Sequence, residues 1–501
     1  MDVLGLLLDG FREALTLQNL IACFAGTFVG TVVGVLPGIG PVSAMAILLP
    51  FSFGLDASTS LILLAGIYYG SMYGGSTTSI LINMPGEGAS VVTCLDGYQM
   101  AKKGRAGAAL AAAAIGSFVA GTVGVLLLML FAPPLSQLAL AFGPPEYLAI
   151  SILGMVLLSN LTGDSFWKSF LMFLLGMMIS SIGIDPLMGD NRMSFGILEL
   201  SRGIDILPCA MGLFGMAELF AVAVKPYDVG DLIKVKFRDL YPTKKELKKS
   251  AGPIIRGSLL GFPLGLIPGP SSILASLLSY KVEKSVSKHP EEFGKGAIEG
   301  VAGPESANNA ASAGAMVPLL ALGIPFAPPT AVLLGAFMIH GITPGPTFMT
   351  TNPQLFWLVI ASMYVGNVML LLLNLPFVGV FASLTKLPAR LLMPVVAAIM
   401  FIGVYCVNNS FFDLWLLLIL GLTGFAAQKM KFPVAPIVIG FVLEETFEKS
   451  LRQSMLLAKG DIFFIFKRPI AGVMFLVIAL IILSIIVNAV RHKKVVIPEE
   501  D

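Results

Sequence analysis

Two stretches of this chain have the residue types to expose backbone polar groups inside an apolar protein. Residues 26–44 read GTFVGTVVGVLPGIGPVSA, and residues 257–275 read GSLLGFPLGLIPGPSSILA. Gly26, Gly30, Gly34, Pro37, Gly38 and Ala44 return as Gly257, Gly261, Gly265, Pro268, Gly269 and Ala275, always 231 positions on (257 − 26, 275 − 44). Proline removes a backbone donor and breaks a helix, and glycine lets the backbone approach a ligand. The N–H groups freed at the start of a half-helix can hold a carboxylate, and freed carbonyls can hold a cation. In a membrane chain, a pair of interrupted helices at corresponding positions points to a transport site. The candidates here are Pro37, Gly38, Gly40 and Ser43 in the first copy and Gly269, Ser271 and Ser272 in the second. Gly26, Gly30, Gly257 and Gly261, at spacing four, read as a close-packing ridge instead.

Each copy is followed by a second, more polar break. YYGSMYGGSTTSILINMPGEGAS (68–90) gathers Ser71, Ser76, Thr77, Thr78, Ser79 and Asn83 before Pro85-Gly86. EGVAGPESANNAASAGAMVPLLALGIPFAPPTA (299–331) gathers Glu305, Ser306, Asn308, Asn309 and Ser312 before Pro325. Hydroxyls and amides are what a neutral cavity needs to grip an oxyanion beside a cation, and intramembrane polar clusters are functional by default. Thr77, Asn83, Gly86, Asn308, Asn309 and Pro325 therefore join the substrate candidates. Gly38, Gly74, Gly269, Glu305 and Asn308 are the candidates for a cation. Among isolated charges, Glu87, Asp96, Glu299 and Glu305 lie in or beside the breaks, where they could hold a cation or a proton. Asp56, Asp164, Asp185 and Asp413 read as solvated loop ends, and His340 as an interfacial histidine. Glu444 and Glu445 open a mixed-charge amphipathic stretch to Arg468, read as interfacial.

Composition says what must position these groups. Hydrophobic residues make up 56% of the 501 and charged residues 12%, against roughly 25% charged in soluble domains. Bilayer-length apolar runs recur from Leu20 to Asn488, among them Ala106–Phe131, Phe356–Leu373 and Ile470–Asn488, each close to the roughly 20 residues that a crossing needs. This is the pattern of a polytopic membrane protein. A net charge of +2 gives no reason to expect a nucleic-acid partner. The N-terminus lacks the basic segment and cleavage site of a signal peptide. Cys23, Cys94, Cys209 and Cys406 are far apart in apolar runs and form no metal or redox spacing.

The duplication extends further. Ser117 and Gly121 match Ser362 and Gly366 (offset 245), Ile150 and Gly154 match Ile399 and Gly403 (offset 249), and Pro208 and Gly212 match Pro436 and Gly440 (offset 228). This gives a first repeat over 1–225, a cytoplasmic linker over 226–250, a second repeat over 251–450, and an interfacial segment, extra helix and tail over 451–501. Equivalent loops differ in basic charge. Lys102, Lys103 and Arg105 face an uncharged Gly341–Pro353, and Pro133–Glu146 faces a stretch carrying Lys386 and Arg390. By the positive-inside rule the repeats are therefore inverted. Residues 252–280 would make a helix of about 43 Å, short of the about 60 Å that two crossings need. A re-entrant hairpin with its tip at Pro268-Gly269 fits, and so does its equivalent over Leu20–Pro50; one kinked span is the alternative. The expected fold is all-α, with two inverted-topology repeats, broken helices and re-entrant hairpins, about 11 crossings plus two hairpins.

An intramembrane enzyme would need a catalytic set. His289, His340 and His492 form none, no aspartate pair has suitable spacing, and the phosphate-cradling GxxxxGK[ST] is absent. A structural scaffold leaves the duplicated polar breaks without a purpose. The motifs GxxxGxxxGVLPGIG (26–40), NMPGEGAS (83–90), FGKGAIEGVAGPESANNAA (293–311), LGIP (322–325) and HGITPGP (340–346) together resemble the large membrane subunit of tripartite tricarboxylate transporters, the TctA-like family. The resemblance covers most of the chain; Phe326-Ala327-Pro328-Pro329 departs from a glycine expected in relatives. It implies secondary uptake of small carboxylates across the bacterial inner membrane, a periplasmic solute-binding protein, a small membrane subunit, and coupling to sodium ions or protons without other cofactors. Likeness to other carriers with paired hairpins suggests an elevator motion. A stand-alone ion-coupled carrier of another small anion is the alternative.

Overall fold

The computed structural model describes residues 3–36, 40–161, 166–185, 188–224, 242–377, 380–381, 389–459, 461 and 463–491. Pro37 and Gly38, Asp164, Lys225 and residues 226–241 of the expected linker lie outside them. In chain order the main helices are α1 (Val3–Ala14), α2 (Leu17–Val35), α3 (Pro41–Leu48), α4 (Ala57–Ile82), α5 (Val91–Lys102), α6 (Ala106–Ala139), α7 (Pro144–Leu161) and α8 (Phe166–Ser180). Then come α9 (Ile206–Val224), which contains a π-turn at Met211–Met216, α10 (Lys244–Gly265), α11 (Ser271–Val286), α12 (Glu299–Leu322) and α13 (Pro328–Ile339). The chain continues with α14 (Pro353–Asn374), α15 (Ala389–Asn408), α16 (Phe411–Lys429), α17 (Ala435–Ala458) and α18 (Pro469–Arg491). A two-residue ribbon pairs β1 (Gly183–Ile184) with β2 (Asn191–Arg192). Among the described residues, α2, α6, α9, α14 and α16 are long and apolar enough to cross a membrane. The protein is an all-α membrane protein.

The contacts separate two compact units, Met1–Leu140 with Ile204–Val434, and Ala141–Gly203 with Ala435–Asp501. The sequence repeats and the compact units thus partition the chain differently. In the first unit the glycine ridge sets the frame. Gly26, Gly30 and Gly34 of α2 face the carbonyls of Leu63, Ile67 and Ser71 of α4, each 37 residues on (63 − 26, 67 − 30, 71 − 34). A Cβ at any of the three would fall within 3.0 Å of backbone. Gly66, Gly70 and Gly74 return the contact from α4. Because partner numbers rise together, the two helices run parallel. The chain must therefore reverse between them, and α3 with the 3-10 turn Leu49–Gly54 forms the return arm. The reversal closes where Gln18 Nε2 donates to Asp56 at 2.7 Å and Thr59 Oγ1 donates to Asn19 at 2.8 Å.

The second glycine copy packs by the same rule. Gly257, Gly261 and Gly265 of α10 face the carbonyls of Gly303, Ala307 and Ala311 of α12, each 46 residues on (303 − 257, 311 − 265). Here α11 is the return arm, tied to α10 by the Arg256–Glu283 ion pair and to α12 where Ser276 Oγ donates to Pro304 O. The central contact runs the other way. Ser76 of α4 meets Glu305 of α12, and Tyr68 meets Ser312, so α4 and α12 are antiparallel. Helix α6 lies on α12 through Gly116 and Gly124, and α14 lies on α2 through Gly366 and on α4 through the Tyr73–Asn367 hydrogen bond.

In the second unit, Gly176 of α8 and Gly440 of α17 interlock against the backbones of Ile437 and Phe173. Expectation and structure part here. Asp185 is not a solvated loop end: it is 5% exposed and clamped by Arg192 and Arg452. Asp413, in the first unit, is also buried and accepts from Asn408 Nδ2 at 2.9 Å. The stretch that Glu444 and Glu445 open is helical as far as Ala458. They sit inside the 24-residue helix α17, with Glu444 buried. For Asp185 and Asp413 neighbouring donors compensate for lost water, and the Arg452–Asp185 pairing is invisible in a local sequence window.

Candidate functional site

Helices α4 and α12 end alike. The residue capping α4 is Asn83 at φ 56°, and the residue capping α12 is Gly323 at φ 71°, both left-handed. Left-handed backbone is what glycine and, less readily, asparagine accept. A proline follows two residues later in each (Pro85, Pro325), so neither helix can continue. The next helical turn then starts on the same device. Ser90 Oγ accepts from Glu87 N at 3.3 Å and donates to Glu87 O at 2.8 Å. Thr330 Oγ1 accepts from Ala327 N at 3.1 Å and donates to Ala327 O at 2.7 Å. Asn83, Pro85, Glu87 and Ser90 therefore stand where Gly323, Pro325, Ala327 and Thr330 stand, all 240 apart (323 − 83, 330 − 90).

Both return arms begin without a capping side chain. The N-cap of α3 is Gly40, with open space where a Cβ would be, and that of α11 is Pro270. The first N–H groups of a helix have no partner within it, so each start presents donors and the positive end of a dipole. Ser43 and Ser271 are buried in these first turns. Gly269, at φ 133°, donates its N–H to Phe326 O at 2.8 Å, which pins the second tip to the second break. Gly34 O, in the last turn of α2, lies against Gly86, where a Cβ would clash, so the end of α2 meets the first break. Gly34 meets α4 at Gly74, and Gly265 meets α12 at Gly314. Through the Tyr68–Ser312 and Ser76–Glu305 pairs, those levels are about eight residues apart, or ~12 Å at 1.5 Å per residue.

A polar cluster fills the space beside α11. Ser272 Oγ is 3.2 Å from Ser312 Oγ, and Ser312 is hydrogen-bonded to Tyr68. One turn back on α12, Asn308 Nδ2 donates to Glu87 Oε1 at 3.3 Å. Ala89 N donates to Glu87 Oε2 at 2.8 Å. Glu305 accepts from Ser76 Oγ at 2.6 Å and from Thr93 Oγ1. Asn309 points to the other side, donating to Ser117 Oγ at 2.8 Å. The side chain of Ile273 sits against Gly88, which brings the start of α11 to the first break. The arrangement sets the uncapped start of α11 next to buried carboxylates.

Of the residues singled out from sequence, Ser272, Asn308 and Glu305 belong to this region and Gly86 borders it. Thr77 is buried in the turn of α4 that carries Ser76, and Pro325 is buried at the hinge between α12 and α13. Asn83 is exposed, and its backbone conformation accounts for its place. Gly74 is a packing glycine against α2. Asn309 serves the α6 contact. Asp96 is no free carboxylate: Gly296 N, Ala297 N and Tyr280 Oη donate to it at 2.7, 2.8 and 2.9 Å. Glu299 pairs with Lys249 at 3.6 Å. Sequence reasoning missed Tyr68 and Thr93. Thr93 lies in the plain apolar run VVTC, and nothing local marks it as a partner of a glutamate 212 positions away (305 − 93).

Residues 20–439 match the tripartite tricarboxylate transporter TctA family. The chain is 46% identical, over its whole length and that of the relative, to an uncharacterised 52.8 kDa protein of the TAR-I ttuC' 3' region of Agrobacterium vitis. It is also 46% identical over 212 residues, 42% of this chain and 88% of the relative, to an uncharacterised protein of the TAR-II ttuC' 3' region of the same organism. No solved structure matches.

Proposed function

The chain belongs to the tripartite tricarboxylate transporter TctA family, and we propose that it is the large permease subunit of a binding-protein-dependent secondary transporter. In this reading it lies in the bacterial inner membrane and imports small di- or tricarboxylates with a sodium or proton gradient. The observation that carries the reading is the pair of uncapped helix starts, Gly40–Ser43 and Pro270–Ser272, at chain reversals inside an apolar fold. Irregular backbone at membrane depth is tolerated where it lines a protein-covered or watery cavity. Free N–H groups there suit carboxylates.

The antiparallel α4–α12 contact supports inverted repeats, each a re-entrant hairpin (α2–α3, α10–α11) followed by a broken helix. Substrate, delivered by a periplasmic binding protein, settles between the hairpins. Pro37, Gly38, Gly40 and Ser43 contact it from one side, and Gly269, Ser271 and Ser272 from the other. A cation offsets its charge, and the loaded site crosses as a unit in an elevator motion. A small membrane subunit completes the assembly.

The test is uptake of a radiolabelled tricarboxylate into proteoliposomes holding this chain and its small subunit. Uptake that needs both the binding protein and an imposed ion gradient is the expected result. Uptake indifferent to both, or none with any small carboxylate, contradicts the proposal. Asn308→Ala should remove uptake while leaving insertion intact.

A further inference from the structure

Glu87 and Glu305 are 9% and 1% exposed, and neither takes part in any ion pair among the described residues. Every hydrogen bond recorded for their carboxylates brings a donor to them: Ala89 N and Asn308 Nδ2 to Glu87, Ser76 Oγ and Thr93 Oγ1 to Glu305. Donors alone are what an ionised carboxylate takes. Buried negative charge of this kind needs a positive partner.

A second, independent observation says where that partner sits. Asn308 is fully buried, and its Oδ1 receives no hydrogen bond. That oxygen shares an amide with the Nδ2 that meets Glu87 Oε1. The orphan amide oxygen therefore belongs to a group in direct contact with the Glu87 carboxylate. Ser312 Oγ donates to Asn308 O at 3.0 Å and lies 3.2 Å from Ser272 Oγ, which puts two hydroxyl oxygens at the edge of this contact. These are hard oxygen ligands, the class that suits alkali and alkaline-earth ions rather than zinc or copper. Among the described residues no three acidic, histidine or cysteine side chains form a cage, and the one carboxylate that meets Asn308 is Glu87, which suits a monovalent ion.

We propose that Glu87 and Asn308 Oδ1 form the core of a binding site for one sodium ion, with Ser312 and Ser272 at its edge. The site lies where the start of α11 meets the first break, so the ion and a substrate carboxylate held by that helix start would be adjacent. The site is single. In the other half Ala327 stands in the place of Glu87, and Tyr68 stands in the place of Asn308 (308 − 68 = 240). The transport reading gives this ion its role as coupling ion, but binding can be measured without it.

The experiment uses the full chain in detergent, without substrate, in choline chloride at constant ionic strength. Sodium replaces choline stepwise while the melting temperature and bound 22Na+ are read. The wild type should show saturable stabilisation and close to one sodium bound at this site. Glu87→Gln keeps an acceptor for Ala89 N, so its melting temperature in choline should stay near wild type. Its sodium affinity should fall at least about tenfold, the loss of roughly one strong ligand interaction. Asn308→Ala should do the same. Equal sodium response in wild type and Glu87→Gln overturns the site, as does wild-type stabilisation by acid with none by sodium, which would mean a bound proton. Absent sodium binding with uptake intact removes this site alone. Failed uptake with sodium binding intact removes the transport reading alone.

Discussion

The two halves of the first unit share a frame and differ in chemistry. Helices α2 and α4 pack as α10 and α12 pack, glycine ridge to carbonyl, with α3 and α11 as return arms. The breaks that follow use the same left-handed cap, the same proline and the same hydroxyl-to-backbone pair. Yet the first break carries Glu87 where the second carries Ala327. The long helices differ as well: hydroxyls crowd the end of α4 (Ser76, Thr77, Thr78, Ser79), whereas α12 places Glu305, Asn308 and Asn309 at its middle. Backbone geometry is thus conserved between halves while the polar groups are divided, so that the shared cluster needs both. Hydrogen bonds such as Ser76–Glu305 and Asn308–Glu87 join one half to the other.

If the frame is shared, breaking it should hurt equally on both sides. Gly30→Leu and Gly261→Leu each push side-chain atoms into backbone that a Cβ alone would already strike. Each should cost at least about 3 kcal/mol, read as collapse of the melting transition in detergent; tolerance of either would break the equivalence. The chemistry should be lopsided. Glu87→Gln should lower uptake at least about tenfold, equivalent to about 1.4 kcal/mol, while Ala327→Gly changes uptake little. Similar losses from both would show that the halves contribute alike.

The caps give a finer contrast. Asn83→Gly should be neutral or stabilising by up to about 1 kcal/mol. Gly323→Ala should destabilise by more than about 1 kcal/mol, since its φ is 71° and a Cβ would press on the Pro344 carbonyl. Thermal melts check this: Gly323→Ala should melt below wild type, and Asn83→Gly should not. The smallest effect concerns the charged entry to α10, where Arg105 binds Glu246. Burial alone would raise the Glu246 carboxyl, but hydrogen bonds from Arg105 and Thr243 outweigh it and hold the carboxyl below its usual range. A lowered carboxyl stabilises the fold fully above its unfolded value of about 4.3 and loses that contribution as pH falls through the folded value. Glu246→Gln should therefore differ from wild type by less than about 1 kcal/mol near neutral pH and converge with it in acid, as melting across a pH series would show.

Much of the frame was legible because backbone contact leaves a strict mark. Only glycine fits at Gly26, Gly30 and Gly34, so the spacing survives in both copies and reveals the packing. Pro85 and Pro325 mark the breaks for the same reason. The partners of buried polar groups were not legible. Thr93, Tyr280 and Arg452 look ordinary in their own windows, and they acquire roles from residues 212, 184 and 267 positions away. Asn83 misled in the opposite sense. As an amide beside Pro85-Gly86 it suggests ligand binding, whereas a left-handed helix cap requires the same residue type.

The central claim is that substrate binds between the two hairpins, and single cysteines test it most directly. Ser43→Cys and Ser272→Cys, each introduced into a chain whose native cysteines are replaced by serine, are reacted with a membrane-impermeant maleimide in proteoliposomes, with and without a tricarboxylate. The account predicts that substrate slows labelling at both positions, and that a control cysteine replacing Ser285, exposed on α11, is unaffected. Labelling of Ser43→Cys and Ser272→Cys at rates indifferent to a substrate that the same liposomes take up would contradict it.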